Sequence, residues 1–422
     1  ARGKPSLFLT ILFAYAGLQN SNFFATKNSE LIQVQIGGFS FYYFDFFAIV
    51  GLLALLAQRL NLSMESMSSH RPQNIQRAAT LLFFCILVSF VFWSFSIGPK
   101  HAGNFWRTMF VSLSLYLYAS QYSNQLSTRD IRRIFTWGST PLVLISLIFL
   151  ATKGLGRADS VDPLTGNSQY NRSMTTVGAL LLLLCLFFIH ESTIKYRQSA
   201  FTSVSGVYCL SLIALIIISQ QRTVWIGLSI FLLFWGFSRH SNDLIQKIGR
   251  MIVLLMGCGL FYLISLKSSQ IEASLTNSQT LVWRQDRWKD ALSGIDIFSM
   301  RFLIGSIFGP TDITSRYIPN LNGLSTNQYS HNAYIDLFEK FGITGLILFI
   351  VFMWKIWRTL GLVREIQIAK PLFITVLIYN FFWVMPPIAY IALGILVHFD
   401  STKLRSHQYL NFVRRRLGEK NE

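Results

Sequence analysis

Apolar residues in this chain come in long blocks, such as "ALLLLLCLFFI" at residues 179–189, and not at the alternating spacing of a half-buried strand. Blocks of about twenty apolar residues suit a helix that crosses ~30 Å of hydrocarbon. We therefore predict an all-α polytopic membrane protein with about twelve transmembrane helices. The predicted spans are residues 6–18, 39–57, 78–97, 105–121, 134–151, 174–190, 201–219, 222–237, 251–266, 333–354, 371–385 and 387–399.

These spans divide the chain into four parts. Residues 1–266 hold the first nine spans, residues 267–332 form one long loop, residues 333–399 hold the last three spans, and residues 400–422 are a basic tail. Loops as long as this one usually have a function or are disordered.

Part of the long loop has the pattern of a helix. The stretch "TLVWRQDRWKDALSGIDIF" places Leu281, Trp288, Leu292 and Ile295 at helical spacing beside basic residues. Apolar residues on one helical face and cations beside them are typical of a helix lying at a membrane surface. We predict an amphipathic helix within the loop.

The overall composition agrees with a membrane protein. Of 422 residues, 52% are hydrophobic, 15% are aromatic and 13% are charged. A soluble domain of this length would need far more charge on its surface. The four cysteines fall inside apolar blocks and form no CxxC pair, so they indicate neither a zinc site nor a disulfide framework.

Charge predicts the orientation of the spans. Lys and Arg are concentrated in alternate loops and in the tail, as in the run Arg414, Arg415 and Arg416, and cytoplasmic loops hold such an excess. With both termini cytoplasmic, the long loop lies outside. This distribution accounts for most of the net charge of +18 without nucleic acid as a partner.

One arginine interrupts the apolar pattern. "IIISQQRTVWIGLSIF" places Gln220, Gln221 and Arg222 between two apolar runs, with room for no more than a tight turn. A charge in hydrocarbon costs roughly 2.5–3.5 kcal/mol on insertion scales, and such residues generally face a protein interior or a water-filled cavity. Arg222 either binds an anion at the outer end of the bundle, or snorkels to the interface or pairs with a carboxylate.

Other polar residues stand out at the edges of the apolar blocks. His331 lies where the polar stretch "STNQYSHNAYI" enters an apolar span, so it could be a general base, a helix cap or a solvated residue. Asp45 and Arg107 are charged residues within predicted spans, where a charge costs free energy. They could form a pair with each other. Asp336 and Lys340 have the spacing of an ordinary stabilising pair on one helix.

Three motifs in order resemble a known family. "SQQRTVWIGL", then "RQDRW" in the long outer loop, then "HNAYI" leading into "GITGLILF" resemble the bacterial O-antigen ligase and O-antigen polymerase superfamily. The resemblance implies a glycosyltransferase of the GT-C type in the inner membrane, with a periplasmic active site. It implies a glycan donor on undecaprenyl diphosphate and a sugar hydroxyl as acceptor.

By motif match, the resemblance also implies roles for particular residues. Arg222 and Arg284 would bind the diphosphate, with Arg287 as a rival in the same helical turn, and His331 would activate the acceptor hydroxyl. By itself, an arginine on an amphipathic helix is more often a solvated or headgroup-facing charge. Relatives often carry a Pro and a Gly-x-Gly turn after the loop helix, whereas this chain reads "SMRFLIGSIFGP".

The chemistry of the reaction suits these residue types. A diphosphate leaving group develops charge that a metal or cationic side chains must stabilise. No DxD pair lies in the predicted outer loops, so we expect no metal site and no cofactor, and guanidiniums that each donate two hydrogen bonds are the alternative. Neutral His is the side chain best suited to accept a proton near pH 7.

The acceptor stays open. A polymerase would use another lipid-linked repeat, and a ligase would use the lipid A core. The form of the arginine motif, "SQQRTVW", slightly favours a polymerase. A protein O-oligosaccharyltransferase is less favoured than either. A chain-length regulator is a further possible partner. A transporter of lipid-linked sugars belongs to another class, but the two halves show no internal repeat that would favour it.

Overall fold

The structure is a computed structural model that describes most of the helical part of the chain. It describes residues 4–21, 33–36, 39–62, 73–153, 157–161, 168–170, 173–195, 204–219, 221–236, 279–293, 295–309, 332–361 and 369–397. The predicted span 251–266, the tail 400–422 and His331 lie outside these residues.

Helices make up most of the described residues, as predicted. They are α1 (Pro5–Gln19), α2 (Tyr43–Leu62), α3 (Gln73–Ile97), α4 (Pro99–Tyr122), α5 (Thr128–Lys153), α6 (Thr176–Lys195), α7 (Val204–Ile218), α8 (Arg222–Gly236), α9 (Gln279–Ser293), α10 (Met300–Ile304), α11 (Ala333–Gly361), α12 (Ala369–Phe382) and α13 (Pro387–Val397). Every predicted span within the described residues overlaps a helix. By length and composition, two described segments, Ile75–Ile97 and Arg129–Lys153, can cross a membrane, and most of the other helices are shorter apolar ones.

Two short hairpins add β-structure to connections that we expected to be plain loops. Strand β1 (Gln33–Ile36) pairs antiparallel with β2 (Phe39–Tyr42), and β3 (Arg157–Val161) pairs with β4 (Ser168–Tyr170). The prediction of a helix from residue 39 was therefore wrong by four residues.

The physical reason lies in the sequence at this boundary. "FSFY" is rich in aromatic residues, which favours a strand. Asp45 Oδ2 then accepts a hydrogen bond from the backbone N–H of Tyr42 at 2.8 Å, which fixes the start of α2.

The buried centre of the protein consists of α6 and α13. All side chains from Ala179 to Ile189 and from Ile388 to Val397 are buried, as expected for runs that are apolar on every side. Outer helices instead expose large apolar groups, such as Phe95 on α3 at 87% and Trp137 on α5 at 64%. Such exposed apolar surface marks a membrane or partner interface.

A kink in α11 accommodates the short helix α10. Gly342 has φ 61° within α11, and Gly305 has φ 64° just after α10. The two glycines lie against each other, because a Cβ on Gly342 would fall 2.6 Å from the amide nitrogen of Gly305. The N–H of Ser306 donates to the carbonyl of Lys340 at 3.0 Å, so backbone bonds join α11 to the segment after α10.

Candidate functional site

Several helix ends meet at one end of the bundle. The end of α1 is joined to the start of α6, where the N–H of Thr175 donates to the carbonyl of Asn20 at 2.8 Å. The end of α7 is joined to α8, where Trp225 Nε1 donates to the carbonyl of Ile216 at 3.1 Å. These contacts bring residues distant in sequence to the same region of the protein.

Arg222 is the first residue of α8, directly after the turn that follows α7. The end of α7 at Ile218 confirms that this connection is a tight turn. Gln221 is buried at 7% exposure, and its Oε1 accepts a hydrogen bond from the hydroxyl of Thr176 at 2.6 Å. The position of Arg222 is thus tied to α6 through its neighbour, while Arg222 itself is exposed.

Arg284 lies on α9, which is the helix predicted within the long loop. Its guanidinium lies over the ring of Phe382 at 5.7 Å, and Trp288 packs edge-on against Phe381 at 5.2 Å. These contacts dock α9 on the end of α12. The predicted apolar face is therefore partly used within the protein, while Leu292 remains 45% exposed.

The structure brings Arg284 close to Arg222. Burial lowers the pKa of Arg284, the neighbouring Tyr379 opposes this shift, and the positive charge of Arg222 lowers the pKa further. The two arginines are therefore close enough for their charges to interact. Within the described residues, the buried Nε of Arg284 and the buried hydroxyl of Tyr379 have no hydrogen-bond partner.

The structure leaves the other two predicted site residues untested. His331 lies outside the described residues, and Arg287 lies on α9 with a side chain that is also outside them. The adjacent Asn332 is buried, and its Oδ1 accepts hydrogen bonds from the N–H groups of Tyr334 at 2.9 Å and Ile335 at 3.2 Å. Asn332 thus caps α11.

Sequence reasoning missed an aromatic cluster at the end of α12. Tyr379 stacks on Trp383 with ring centroids 6.4 Å apart, and Phe382 lies beneath Arg284. The stretch "YNFFWVMPP" at 379–387 was the available signal, because it ends an apolar run with aromatics and two prolines. The turn that follows has a positive φ of 32° at Met385, whose carbonyl accepts from the hydroxyl of Ser112.

Both charge pairs considered from the sequence are present. Arg107 Nε lies 3.1 Å from Asp45 Oδ2, and Lys340 Nζ lies 2.8 Å from Asp336 Oδ2. The second pair differs from the expected ordinary pair because both side chains are buried. The ammonium of Lys340 also donates to the carbonyl of Phe105 at 2.9 Å.

A metal site is not apparent in the described part of the chain. Among those residues, no group of three or more His, Cys, Asp and Glu side chains is placed to hold a metal ion. Two cations, Arg222 on α8 and Arg284 on α9, lie toward the aromatic end of α12.

The apolar helices, together with the family match that follows, indicate an integral membrane protein. Residues 207–350 match the family model described as O-antigen ligase. The match covers about a third of the chain, includes both arginines, and confirms the resemblance to the O-antigen ligase and polymerase superfamily, whose members are glycosyltransferase-like enzymes. No curated protein matches the chain.

Proposed function

We propose that this protein is a membrane glycosyltransferase that moves a glycan from undecaprenyl diphosphate to a sugar hydroxyl. The observation that carries the proposal is that Arg222 and Arg284 both lie toward the end of α12, beside the buried Tyr379. Arg284 lies over the ring of Phe382, and α8, which begins at Arg222, packs against α12 with Gly227 beside Thr375. In this proposal the protein spans the bacterial inner membrane, both termini are cytoplasmic, and the arginines face the periplasm.

The electrostatics favour a diphosphate at this position. Two guanidiniums repel each other, and the repulsion grows when burial removes water from around them. A bound diphosphate makes the electrostatic energy of the two guanidiniums favourable, because each can donate two parallel hydrogen bonds to phosphate oxygens. Arg222 also begins α8, and the positive end of a helix dipole favours an anion.

In the proposed reaction, the acceptor hydroxyl oxygen attacks the anomeric carbon while the bond from that carbon to the diphosphate oxygen breaks. The hydroxyl proton passes to His331, and undecaprenyl diphosphate leaves with the bonding electron pair. Arg222 and Arg284 stabilise the charge that develops on the leaving group, with Arg287 as a further candidate. Direct displacement inverts the anomeric configuration.

Two acceptors distinguish the two candidate functions. As a polymerase, the enzyme would transfer the glycan to another lipid-linked repeat, which the "SQQRTVW" motif favours. As a ligase, it would transfer the glycan to lipid A core, which the description of the matching family favours. The donor site would be the same in both cases, and a chain-length regulator would be a partner of the polymerase.

Release of undecaprenyl diphosphate tests the proposal. Purified protein in lipid nanodiscs is given a lipid-linked glycan together with either lipid-linked repeats or lipid A core. We expect release and a longer glycan with one acceptor, and the productive acceptor decides between polymerase and ligase. Translocation of the glycolipid across vesicles without release would instead indicate a transporter.

The same assay tests the residues. We expect Arg284→Gln to weaken donor binding, whereas His331→Ala should abolish transfer and leave donor binding intact. Normal transfer by both variants would overturn the assigned site.

A further inference from the structure

A cavity of about 330 Å³ opens at the end of the bundle where α1 meets α6. It lies between the end of α1, the starts of α2 and α6, the middle of α4, and the turn after α12. Its size falls within the ~300–1,000 Å³ typical of small-molecule sites. We propose that this cavity binds a neutral sugar residue of the glycan substrate, an assignment that rests on the proposed function.

The polar groups of the cavity suit hydroxyl groups. The Asp45–Arg107 pair supplies hydrogen-bond acceptors and donors side by side, and the N–H of Tyr42 holds the carboxylate in place. Gln19 also lines the cavity, and its amide is a further polar group in the wall.

The charged residues that line the cavity favour an uncharged ligand. Asp45 and Arg107 together carry no net charge, so they favour an uncharged polar group over a second phosphate. Arg107 is also held over the ring of Tyr42 at 4.5 Å, which limits its freedom to turn toward an anion.

Most of the remaining wall is apolar, and part of it is aromatic. Trp383, Tyr42 and Phe44 line the cavity together with aliphatic side chains. Aromatic faces carry negative charge density, which attracts the polarised C–H groups on the apolar face of a pyranose ring. A wall that holds both hydroxyl partners and aromatic rings matches the two kinds of surface of a sugar.

The cavity is also in the right place for the reaction. Trp383 stacks on Tyr379, which neighbours Arg284. On the opposite wall, Val177 follows Thr176, whose hydroxyl holds Gln221 next to Arg222. A sugar in the cavity would therefore lie near a diphosphate on the arginines, as the first sugar of the donor or the last sugar of the acceptor.

Three probes separate these possibilities: undecaprenyl diphosphate alone, undecaprenyl diphosphate carrying one N-acetylhexosamine, and the methyl glycoside of that sugar added to protein saturated with undecaprenyl diphosphate. The test variants are Gln19→Leu and Trp383→Leu. Trp137→Leu is the matched control, because Trp137 is 64% exposed on α5.

We expect both test variants to bind undecaprenyl diphosphate like the wild type. For a donor sugar, they should lose roughly three- to tenfold in affinity for the lipid-linked sugar, the range that one hydrogen bond to a neutral group gives. For an acceptor sugar, the same loss should appear with the methyl glycoside. Gln19→Leu should keep the wild-type Tm even if Trp383→Leu lowers it.

Wild-type affinity of Gln19→Leu for all three probes would overturn the sugar subsite while leaving the proposed function standing. An equal loss of affinity for all three probes, accompanied by a lower Tm, would show a structural role and would also overturn it. Failure of the proposed function looks different, because the wild type would then not bind undecaprenyl diphosphate, or Arg284→Gln would bind it equally well.

Discussion

Asp336 and Lys340 form an ion pair of 2.8 Å inside the protein, within the first turns of α11. The same ammonium donates to the carbonyl of Phe105 on α4 and lies 4.1 Å from the centre of the Phe105 ring. These contacts fix the start of α11 against α4.

Removal of the ammonium should destabilise the protein strongly. In Lys340→Met, the carboxylate of Asp336 stays buried and loses its partner, which costs about 3–5 kcal/mol for buried pairs. Thermal unfolding in detergent should show a clear fall in Tm. The matched control is Lys100→Met, because Lys100 is exposed at the start of α4, and it should unfold like the wild type.

A second variant separates the lost pair from the lost side chain. Asp336→Asn combined with Lys340→Met leaves no buried charge in this pair, so its Tm should lie above that of Lys340→Met alone. A double variant no more stable than Lys340→Met would show that the unpaired charge of Asp336 is not the cause of the loss.

The kink at Gly342 provides a second prediction. Gly342→Ala places a Cβ at φ 61° and against the backbone of α10. Gly98→Ala is the matched control, because Gly98 has φ 82° but no atom within 4 Å of the added Cβ. Backbone strain of this kind costs about 1–3 kcal/mol. Both variants should lose this amount in thermal unfolding, and Gly342→Ala should lose clearly more, since α10 must move. Equal losses would show that α10 yields without cost.

The sequence alone predicts the helices well, because they come from uniform apolar runs such as 179–189. In hydrocarbon, a helix is the structure in which such a run can hydrogen-bond its own backbone N–H and C=O groups. It singles out Arg222 as a charge between two apolar runs and Arg284 through its motif match, and the roles of both stay predictions. It does not predict Tyr379 or Trp383, because aromatics at span ends are also typical of a membrane interface. The sequence also does not predict that Lys340 is buried, because an ion pair at i,i+4 spacing can lie on a surface or in a core.

Arg222 and Arg284 should strengthen binding of the donor and lower the stability of the protein without donor. Arg284→Gln and Arg222→Gln remove a charge-assisted hydrogen bond to the donor, worth about 1.5–3 kcal/mol, so kcat/KM should fall roughly ten- to a hundredfold. Without donor, Arg284→Gln should have an unchanged or higher Tm, because it relieves repulsion.

Two measurements check the arginine prediction. Undecaprenyl diphosphate should raise the Tm of the wild type and raise that of Arg284→Gln much less. Arg129→Gln removes an exposed arginine at the start of α5 and should behave like the wild type in both assays. A lower Tm of Arg284→Gln in the absence of donor would indicate a structural arginine.

The hydrogen bond from Thr176 to Gln221 should control the position of Arg222 without contacting the donor. Thr176→Val keeps the shape of the side chain but removes the hydroxyl, so the buried Oε1 of Gln221 loses its donor at a cost of about 1–3 kcal/mol. The start of α8 would then loosen from α6, and the affinity for undecaprenyl diphosphate should fall severalfold. Thr176→Ser retains the hydroxyl and should restore both Tm and affinity. If the Val and Ser variants behave alike in both measurements, α8 is held by its packing and Gln221 has no positioning role.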